Sequence, residues 1–364
     1  MLVHKKARLA LSVAGVAFSV LIMFMQLGFF NGLNDSQANL PPHLNADLVL
    51  LSAKRTHLNK TNRFNPVRLA QAAAFDRVVQ VTPFYEGQTA IKNDEDLLKT
   101  IAVVAFPPGT GALNAPGLPP RADGLNLRSA VLFDRLSREI YGSASPGKNL
   151  TTSDGTLRVA GETAIGPNFT RDGYLVVGSN TWLGAGKSPW LSLGLIRLQP
   201  GADVQAVKSR MLAALPADVT VLTPEELRAR EIAFTVRATP SGAVFGLGLI
   251  IGFVIGVIIC YQILFNEITD HMPQYATIKA IGFSDAYLVG IVLKESLLLS
   301  ILGFLPGFLG GWLLYHQIQA TTRILMYMTA GRAVFILFLT VLMCVIAGFI
   351  AMKKVLRADP AEVF

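Results

Sequence analysis

The chain has 364 residues, of which 52% are hydrophobic and 15% charged, against roughly 25% charged in soluble globular proteins. The apolar residues gather near the two ends of the sequence, which excludes a single large soluble core and marks the chain as partly membrane-embedded. A formal charge of +8 raises nucleic acid as a partner, but no Lys/Arg run is interleaved with aromatics and part of the excess flanks apolar segments, so no nucleic acid is expected. Cys260 and Cys344 both lie inside apolar stretches and read as small buried hydrophobes rather than a disulfide or metal ligands.

Four stretches approach the roughly 20 apolar residues that cross a hydrocarbon core. The first, 9–30, follows the basic cluster His4, Lys5, Lys6 and Arg8 and lacks a small-residue cleavage site, so an uncleaved anchor is expected rather than a signal peptide. The others are 241–265, 296–316 with Pro306 inside, and 333–352. Four spans put both termini on one side. Lys5, Lys6 and Arg8 before the first, and Lys353, Lys354 and Arg357 after the last, make that side cytoplasmic. The expected fold is an α-helical membrane protein with four transmembrane helices and a large mixed α/β extracytoplasmic domain between helices one and two. The expected divisions are 1–31 (N-terminus and first span), 32–238 (outer domain), 239–266 (second span), 267–283 (cytoplasmic coupling helix), 284–316 (third span), 317–332 (outer loop), 333–352 (fourth span) and 353–364 (cytoplasmic tail).

Within the outer domain, short β-branched runs predict strands at 47–51, 78–82, 100–106, 157–162, 174–178 and 193–198. Helices are expected at 66–75, 130–141 and 202–215, the last with Val204, Val207, Met211, Leu212 and Leu215 on one face. Strand and helix alternate on both sides of a proline-rich middle, which suggests two βαβ-like halves in one sheet.

Few residues point to chemistry. The stretch from Thr181 to Lys187 and Ser188 ends like a phosphate-binding loop, but its first glycine would fall at Thr181 and Pro189 follows where a helix should begin, so no nucleotide site is expected. The five histidines include no i,i+3 or i,i+4 pair, so no metal site is indicated. No nucleophile elbow or paired-carboxylate motif appears, and no catalytic residue is assigned.

The second span carries Gly242, Gly246, Gly248, Gly252 and Gly256, and the third Gly303, Gly307 and Gly311. Glycine is common in membrane helices, but spacing at four residues is what a close helix crossing needs, within a protomer or across a dimer. Between these spans, Thr269 or Asp270 can cap a short helix that Gly282 would end, with Tyr275, Ile278 and Ile281 on one side and Gln274 and Lys279 displaced from it. Amphipathicity fits a membrane-surface connector and a docking surface equally. Glu295, beside Lys294, reads as a paired boundary residue rather than a proton relay.

Local words complete the picture: His4-Lys-Lys-Ala-Arg8, Gly15-Val-Ala-Phe-Ser19, Met23-Phe-Met-Gln-Leu-Gly-Phe-Phe-Asn-Gly32, Val131-Leu-Phe-Asp-Arg135, Ser192-Leu-Gly-Leu-Ile196, Pro200-Gly-Ala-Asp-Val204, Tyr261-Gln-Ile263, Asp270-His271, Tyr275-Ala-Thr277, Lys279-Ala-Ile-Gly282 and the tail Ala358-Asp-Pro-Ala-Glu-Val-Phe364. Together with the topology, the sequence resembles the MacB/FtsX/LolC (type VII) permeases of ABC systems, and within them the DevC branch found in cyanobacteria.

The resemblance implies a non-catalytic permease of the bacterial inner membrane, multi-pass and homodimeric. No cofactor is implied in this chain; ATP and Mg belong to a separate cytoplasmic ABC ATPase. That partner would dock on Asp270, His271, Gln274, Tyr275, Thr277, Ile278, Lys279 and Gly282. ATP-driven motion would be relayed to a porter-like outer domain with an accessory part near 107–155, a process called mechanotransmission. Related systems add a periplasmic membrane-fusion adaptor and an outer-membrane duct, and the branch is associated with glycolipid export. Two other readings stay open: an FtsX-like regulator of a cell-wall hydrolase, and a membrane-anchored extracytoplasmic enzyme. No long polar extension of the first two spans is expected, unless 224–237 supplies a short one.

Overall fold

In the computed structural model the described residues are 6–356 apart from 38, 120, 121, 143, 169, 239, 324 and 325. The basic residues His4 and Lys5, and the tail from Arg357 to Phe364, lie outside them. The chain divides into two compact units, one made of Met1–Gly32, Pro240–Thr321 and Met326–Phe364, the other of Leu33–Thr239 with Thr322–Leu325.

The helical unit follows from the four long apolar runs. Backbone N–H and C=O groups have no water to bond in hydrocarbon, so each run closes its hydrogen bonds internally as a helix. They form α1 (Lys6–Gln37), then, after the inserted domain, a helix at Pro240–Asp270, another at Asp285–Thr322 and the last at Ala330–Leu356. Each is long and apolar enough to cross a membrane. The third begins well before residue 296, because Asp285, Lys294 and Glu295 interrupt the apolar pattern without breaking the helix, and it continues through Pro306. Among the described residues, the short helix between the second and third spans covers Met272–Ala280.

The inserted domain begins with β1 (Leu48–Ser52) and α2 (Pro66–Ala73), whose first turn is capped by the Asn65 side chain and holds Pro66 at its start, where a missing N–H costs nothing. Next come β2 (Val78–Lys92) and β3 (Leu98–Phe106) as an antiparallel hairpin, then β4 (Ala130–Asp134), β5 (Asn149–Thr152), β6 (Gly155–Thr163) and β7 (Tyr174–Gly178). After α3 (Ser179–Gly184) the domain returns through β8 (Leu193–Leu198), α4 (Val204–Ala214), β9 (Val219–Leu222) and α5 (Pro224–Ala238). By the same order the spanning and connecting helices that follow are α6 (Pro240–Asp270), α7 (Met272–Ala280), α8 (Asp285–Thr322) and α9 (Ala330–Leu356).

The described strands run in the order β3-β7-β4-β6-β5-β2-β8-β1-β9, with β3 pairing back to β2. Two parts share β2. On one side β2, β8, β1 and β9 form an antiparallel sheet in which β1-α2-β2 and β8-α4-β9 interleave, the split βαβ arrangement. On the other, β2, β3, β7, β4, β6 and β5 close into a ring. Alternation along each strand separates two cores. Leu48 and Leu50 join Leu69 and Ala72 of α2 and Val207 and Met211 of α4 in a core that continues through Ile101, Val103 and Val177. Val49 and Leu51 face the other way, toward Leu40, Leu58, Phe84 and Leu227 of α5.

Two expectations are corrected. Residues 130–141 are not a helix: β4 is buried along its whole length between β6 and β7, and only Glu139–Tyr141 make a short 3-10 turn. The helical spacing of Leu132, Leu136 and Ile140 is coincidental, since Leu136 and Ile140 are exposed. The accessory part is also wider than 107–155, since β2 and β3 enter the ring before it and β6 and β7 complete it after. Helix α5 is no free extension of a span, because Leu227 and Glu231 are buried within the inserted domain.

In the helical unit α1 lies against glycine faces of two neighbours. A side chain at Gly248, Gly252 or Gly256 of α6 would meet Gln26, Ile22 or Ser19, and one at Gly303, Gly307 or Gly311 of α8 would meet Val16, Val20 or Phe24. Gly242 is buried, whereas Gly246 faces open space. Tyr315 of α8 donates its hydroxyl to the carbonyl of Phe24. The thiols of Cys260 and Cys344 are free, buried and 3.4 Å apart where α6 meets α9. A Cβ at Gly307 would sit 2.7 Å from Val20 Cβ and 2.8 Å from the Ala17 carbonyl oxygen, neither of which can swing away. Overpacking of this kind costs about 1–3 kcal/mol. Gly307→Ala should therefore lower the melting temperature of the purified chain, and Gly246→Ala should not. Equal melting of the two variants would refute the packing.

Candidate functional site

Three places gather candidate side chains: the segment around α7 and two buried clusters of the inserted domain. α6 continues to Asp270, so Asp270 belongs to the end of a span helix and not to α7, contrary to the sequence expectation. His271 occupies the N-cap without a side-chain hydrogen bond, and Thr269 Oγ1 donates back to Phe265 O at 2.7 Å. The break falls beside Pro273, which is best tolerated in the first turn of a helix, and α7 begins at Met272.

The other end of α7 is closed by backbone geometry. Gly282 has φ +103°, and its N–H reaches Lys279 O at 3.0 Å while Phe283 N–H reaches Ile278 O at 3.4 Å. That pair of bonds is a Schellman motif, and it needs a residue that tolerates positive φ.

The faces of α7 are unlike. Tyr275 is buried, its hydroxyl pushed up to about 12 by burial first and then by Glu295 and Glu267. Gln274 and Thr277 are exposed, Ile278 and His271 are half-buried, and Ile281 and Phe283 stand exposed beyond the helix. Lys279 is held by Asp285 at 3.0 Å. Glu295 is not paired with Lys294: Lys294 is exposed, and Glu295 Oε2 is buried without a hydrogen-bond partner. Successive residues on a helix point about 100° apart, so the two never faced each other.

The first buried cluster in the inserted domain centres on Leu58, in the loop between β1 and α2. Its carbonyl accepts from Arg55 at 2.5 Å and Arg171 at 3.3 Å, and its N–H donates to both carboxylate oxygens of Glu231 on α5 at 2.9 and 3.0 Å. Arg55 and Arg171 also flank Glu86 of β2, the strand common to sheet and ring; Arg171 is 3.2 Å away and Arg55 is in direct contact. These side chains are only 2%, 9% and 4% exposed for Arg55, Arg171 and Glu86. Burial alone would raise the Glu86 carboxyl, but the two guanidiniums beside it more than offset this and hold it below the usual range. Glu231 is shifted the other way. Burial and the nearby Glu86 charge push it up to about 7, against the Leu58 N–H. Arg230, its neighbour on α5, donates to the carbonyls of Thr56 at 3.2 Å and of Arg55.

The second cluster centres on Asp134 at the end of β4. Its carboxylate accepts from the N–H groups of Leu136 at 3.0 Å, Ile165 at 3.1 Å and Gly166 at 2.8 Å, and burial nonetheless raises it to about 6. Asn39, just after α1, donates to the carbonyls of Ile165 at 2.5 Å and Gly166 at 3.0 Å. Arg323, just after α8, donates to the carbonyls of Arg135 at 3.0 Å and Ser137 at 2.6 Å and lies 3.3 Å from Glu139.

Sequence reasoning passed over Arg55, Glu86, Asp134, Arg171 and Glu231. Asp134 did sit in one of the quoted words, and Glu86 is a lone charge after the apolar run of β2. Their partners are far away in sequence, so only the fold reveals them. The loop from Thr181 to Ser188 holds α3 and a turn, with Lys187 paired to Asp154 at 2.7 Å. Among the described residues no cluster of three His, Cys, Asp or Glu side chains is placed to hold a metal.

The raised carboxyls give a sign to pH dependence. Glu231 titrates near 7 against 4.5 for the ordinary group, and Asp134 near 6 against 3.8. Between those limits the folded domain binds more protons than the unfolded chain. Stability present below the lower values is therefore lost as pH rises through 6 to 7, by about 1.4 kcal/mol per pH unit for each group in its window. Glu86 acts oppositely, and only at more acid pH. Glu231→Gln keeps an acceptor for Leu58 and should flatten the fall in melting temperature between about pH 5 and pH 7.5. A slope unchanged by Glu231→Gln would remove Glu231 as the titrating group.

Comparison with known proteins identifies the architecture. A family model of the MacB-like periplasmic core domain matches residues 9–214, and one of the FtsX-like permease C-terminal region matches residues 245–360. Similar solved structures include the periplasmic region of MacB from Actinobacillus actinomycetemcomitans, at 9% identity and TM-score 0.37, covering 51% of this chain and 92% of that one. The extracellular domain of the ABC-type transporter YknZ from Gram-positive bacteria is 13% identical with TM-score 0.36, covering 49% of this chain and 100% of that one. No curated protein matches. The first match runs from the first span through most of the inserted domain and the second covers the three later spans, and the chain belongs to the MacB/FtsX-like family of ABC transporter permeases, multi-pass membrane subunits that associate with an ABC ATPase.

Proposed function

We propose that the chain is the mechanotransmitting permease of an ABC exporter. A separate ATPase, holding ATP and Mg, docks on the α7 side of the membrane, and its movement is relayed through the spans to the inserted domain on the other side. The observation that carries this reading is the anchoring of the chain where it enters and leaves the spans. Asn39 follows α1, Arg230 and Glu231 precede α6, and Arg323 follows α8, and each is tied by hydrogen bonds into the inserted domain. Displacement of a span end would thus pull on Leu58 or on the Asp134 loops, both built into the strands.

The basic residues flanking the first and last spans support cytoplasmic termini in a bacterial inner membrane and a periplasmic inserted domain. The family and the DevC-type words support a homodimer that works with a membrane-fusion adaptor and an outer-membrane duct on a glycolipid or other envelope substrate. On α7 the docking face is Gln274, Thr277 and the exposed Ile281, with Tyr275 and Lys279 fixing the helix in place.

Co-purification with the ATPase tests the docking face. Gln274→Arg with Thr277→Arg should lower the recovered ATPase about tenfold or more, a loss of about 1.4 kcal/mol. Arg323→Ala should leave recovery intact while reducing ATP-driven output. If the ATPase binds the α7 double variant as well as the unaltered chain, the docking role is wrong.

A further inference from the structure

The ring of strands contains a pocket that none of these contacts uses. It has a volume of about 210 Å³ and lies among β2, β3, β5, β6, β7 and α3, all within the inserted domain. Its inner wall is apolar: Val103, Val177 and Trp182 are buried core residues, and Leu157 packs beside them. Its rim is polar and carries Arg128, Asp154 and Lys187. Lys187 and Asp154 neutralise each other at 2.7 Å, so the rim keeps one uncompensated positive charge. Arg128 is exposed and has no ion pair among the described residues. The hydroxyl of Thr181, also at the pocket, is buried without a hydrogen-bond partner.

Size and chemistry restrict what fits. A dry cavity of about 150 Å³ takes benzene, and drug-sized ligands need roughly 300–1,000 Å³, so this pocket suits a short hydrocarbon end. An apolar floor beneath a few polar groups at a barrel mouth is a recurrent small-ligand arrangement. The spare cation selects a negative head, since a guanidinium pairs strongly with a carboxylate. The buried Thr181 hydroxyl offers a further hydrogen bond. Thr181, Trp182 and Lys187 belong to the loop that imitates a nucleotide-binding motif in the sequence, and in the fold they line this cavity.

We propose that this pocket binds a small water-soluble anionic amphiphile of the medium-chain carboxylate class, its hydrocarbon end against Val103, Val177 and Trp182 and its carboxylate on Arg128. The binding is independent of ATP and of the exporter reading, because every residue involved lies in the inserted domain.

The chain has 3 tryptophans, so Trp190→Phe with Trp312→Phe leaves Trp182 as the single reporter in the full-length detergent-solubilised protein. Titration with 8-bromooctanoate should quench Trp182 fluorescence saturably, because bromine quenches on contact. Octanoate should compete, and uncharged octanol should compete about tenfold less well or worse. Arg128→Gln in the same background changes an exposed side chain without an ion pair, and should weaken binding about tenfold. Quenching that rises linearly without saturation, as partition into detergent would give, overturns the proposal. So does saturable quenching that Arg128→Gln leaves unchanged.

Discussion

Close approach of helix backbones is the constraint on which the membrane part depends. Lipid chains are as apolar as leucine, so burial gives no preference for helix against helix, and association rests on van der Waals contact and a few hydrogen bonds. Glycine columns on α6 and α8 let α1 come close on both sides. Val16 and Val20, β-branched and stiff, fill the space that the missing side chains leave. Where such contact exists there is little room for a side chain to yield. Phe24 adds ring contacts with Phe304 and Phe308 at 5.9 and 5.8 Å, and its carbonyl takes the Tyr315 hydroxyl. One residue of α1 is thereby fixed by both packing and a polar bond to α8.

The inserted domain solves a different problem. Its sheet and ring share β2, and the shared strand carries a buried carboxylate. Separating Glu86 from Arg55 or Arg171 would leave a charge uncompensated away from water, which costs about 3–5 kcal/mol when one partner is removed. The junction is therefore stiff. Elsewhere in the domain, Glu231 and Asp134 are buried carboxyls that accept backbone N–H bonds, and burial raises both.

The sequence made the spans and several strands plain because each is decided locally. The β-branched runs at 174–178 and 193–198 coincide with β7 and β8, and continuous apolar runs leave no alternative to a spanning helix. Local information failed where a neighbour in space decided the outcome. Residues 130–141 carry helical spacing, yet Val131 and Phe133 are drawn into the sheet by β6 and β7. Asp270 looks like a cap until the helix before it proves long enough to absorb it. The Leu58 and Asp134 clusters were not legible at all, since each gathers residues more than a hundred positions apart, such as the Leu58 N–H with the Glu231 carboxylate and Arg323 with the Ser137 carbonyl. Among the expected site residues, the glycines at 248, 252, 256, 303, 307 and 311 do meet α1, whereas Gly246 shares the spacing and faces open space. The α7 residues needed the fold to say which of them point inward.

That distinction bears on how a short helix could transmit force. A docking helix that was amphipathic only toward the membrane would slide when pushed. α7 is held at three points of different kinds: Tyr275 is buried within the helical unit, Lys279 is paired with Asp285 at the start of α8, and the Schellman closure at Gly282 fixes the turn between them. Its start holds Pro273 in the first turn, where the missing N–H costs nothing. In the proposed mechanism a segment so constrained at both ends would move with the α6 and α8 ends it joins, its exposed face of Gln274 and Thr277 keeping one orientation. In the proposed mechanism the rigidity of this joint, more than the affinity of its surface, determines whether closure of an ATPase becomes movement of the spans.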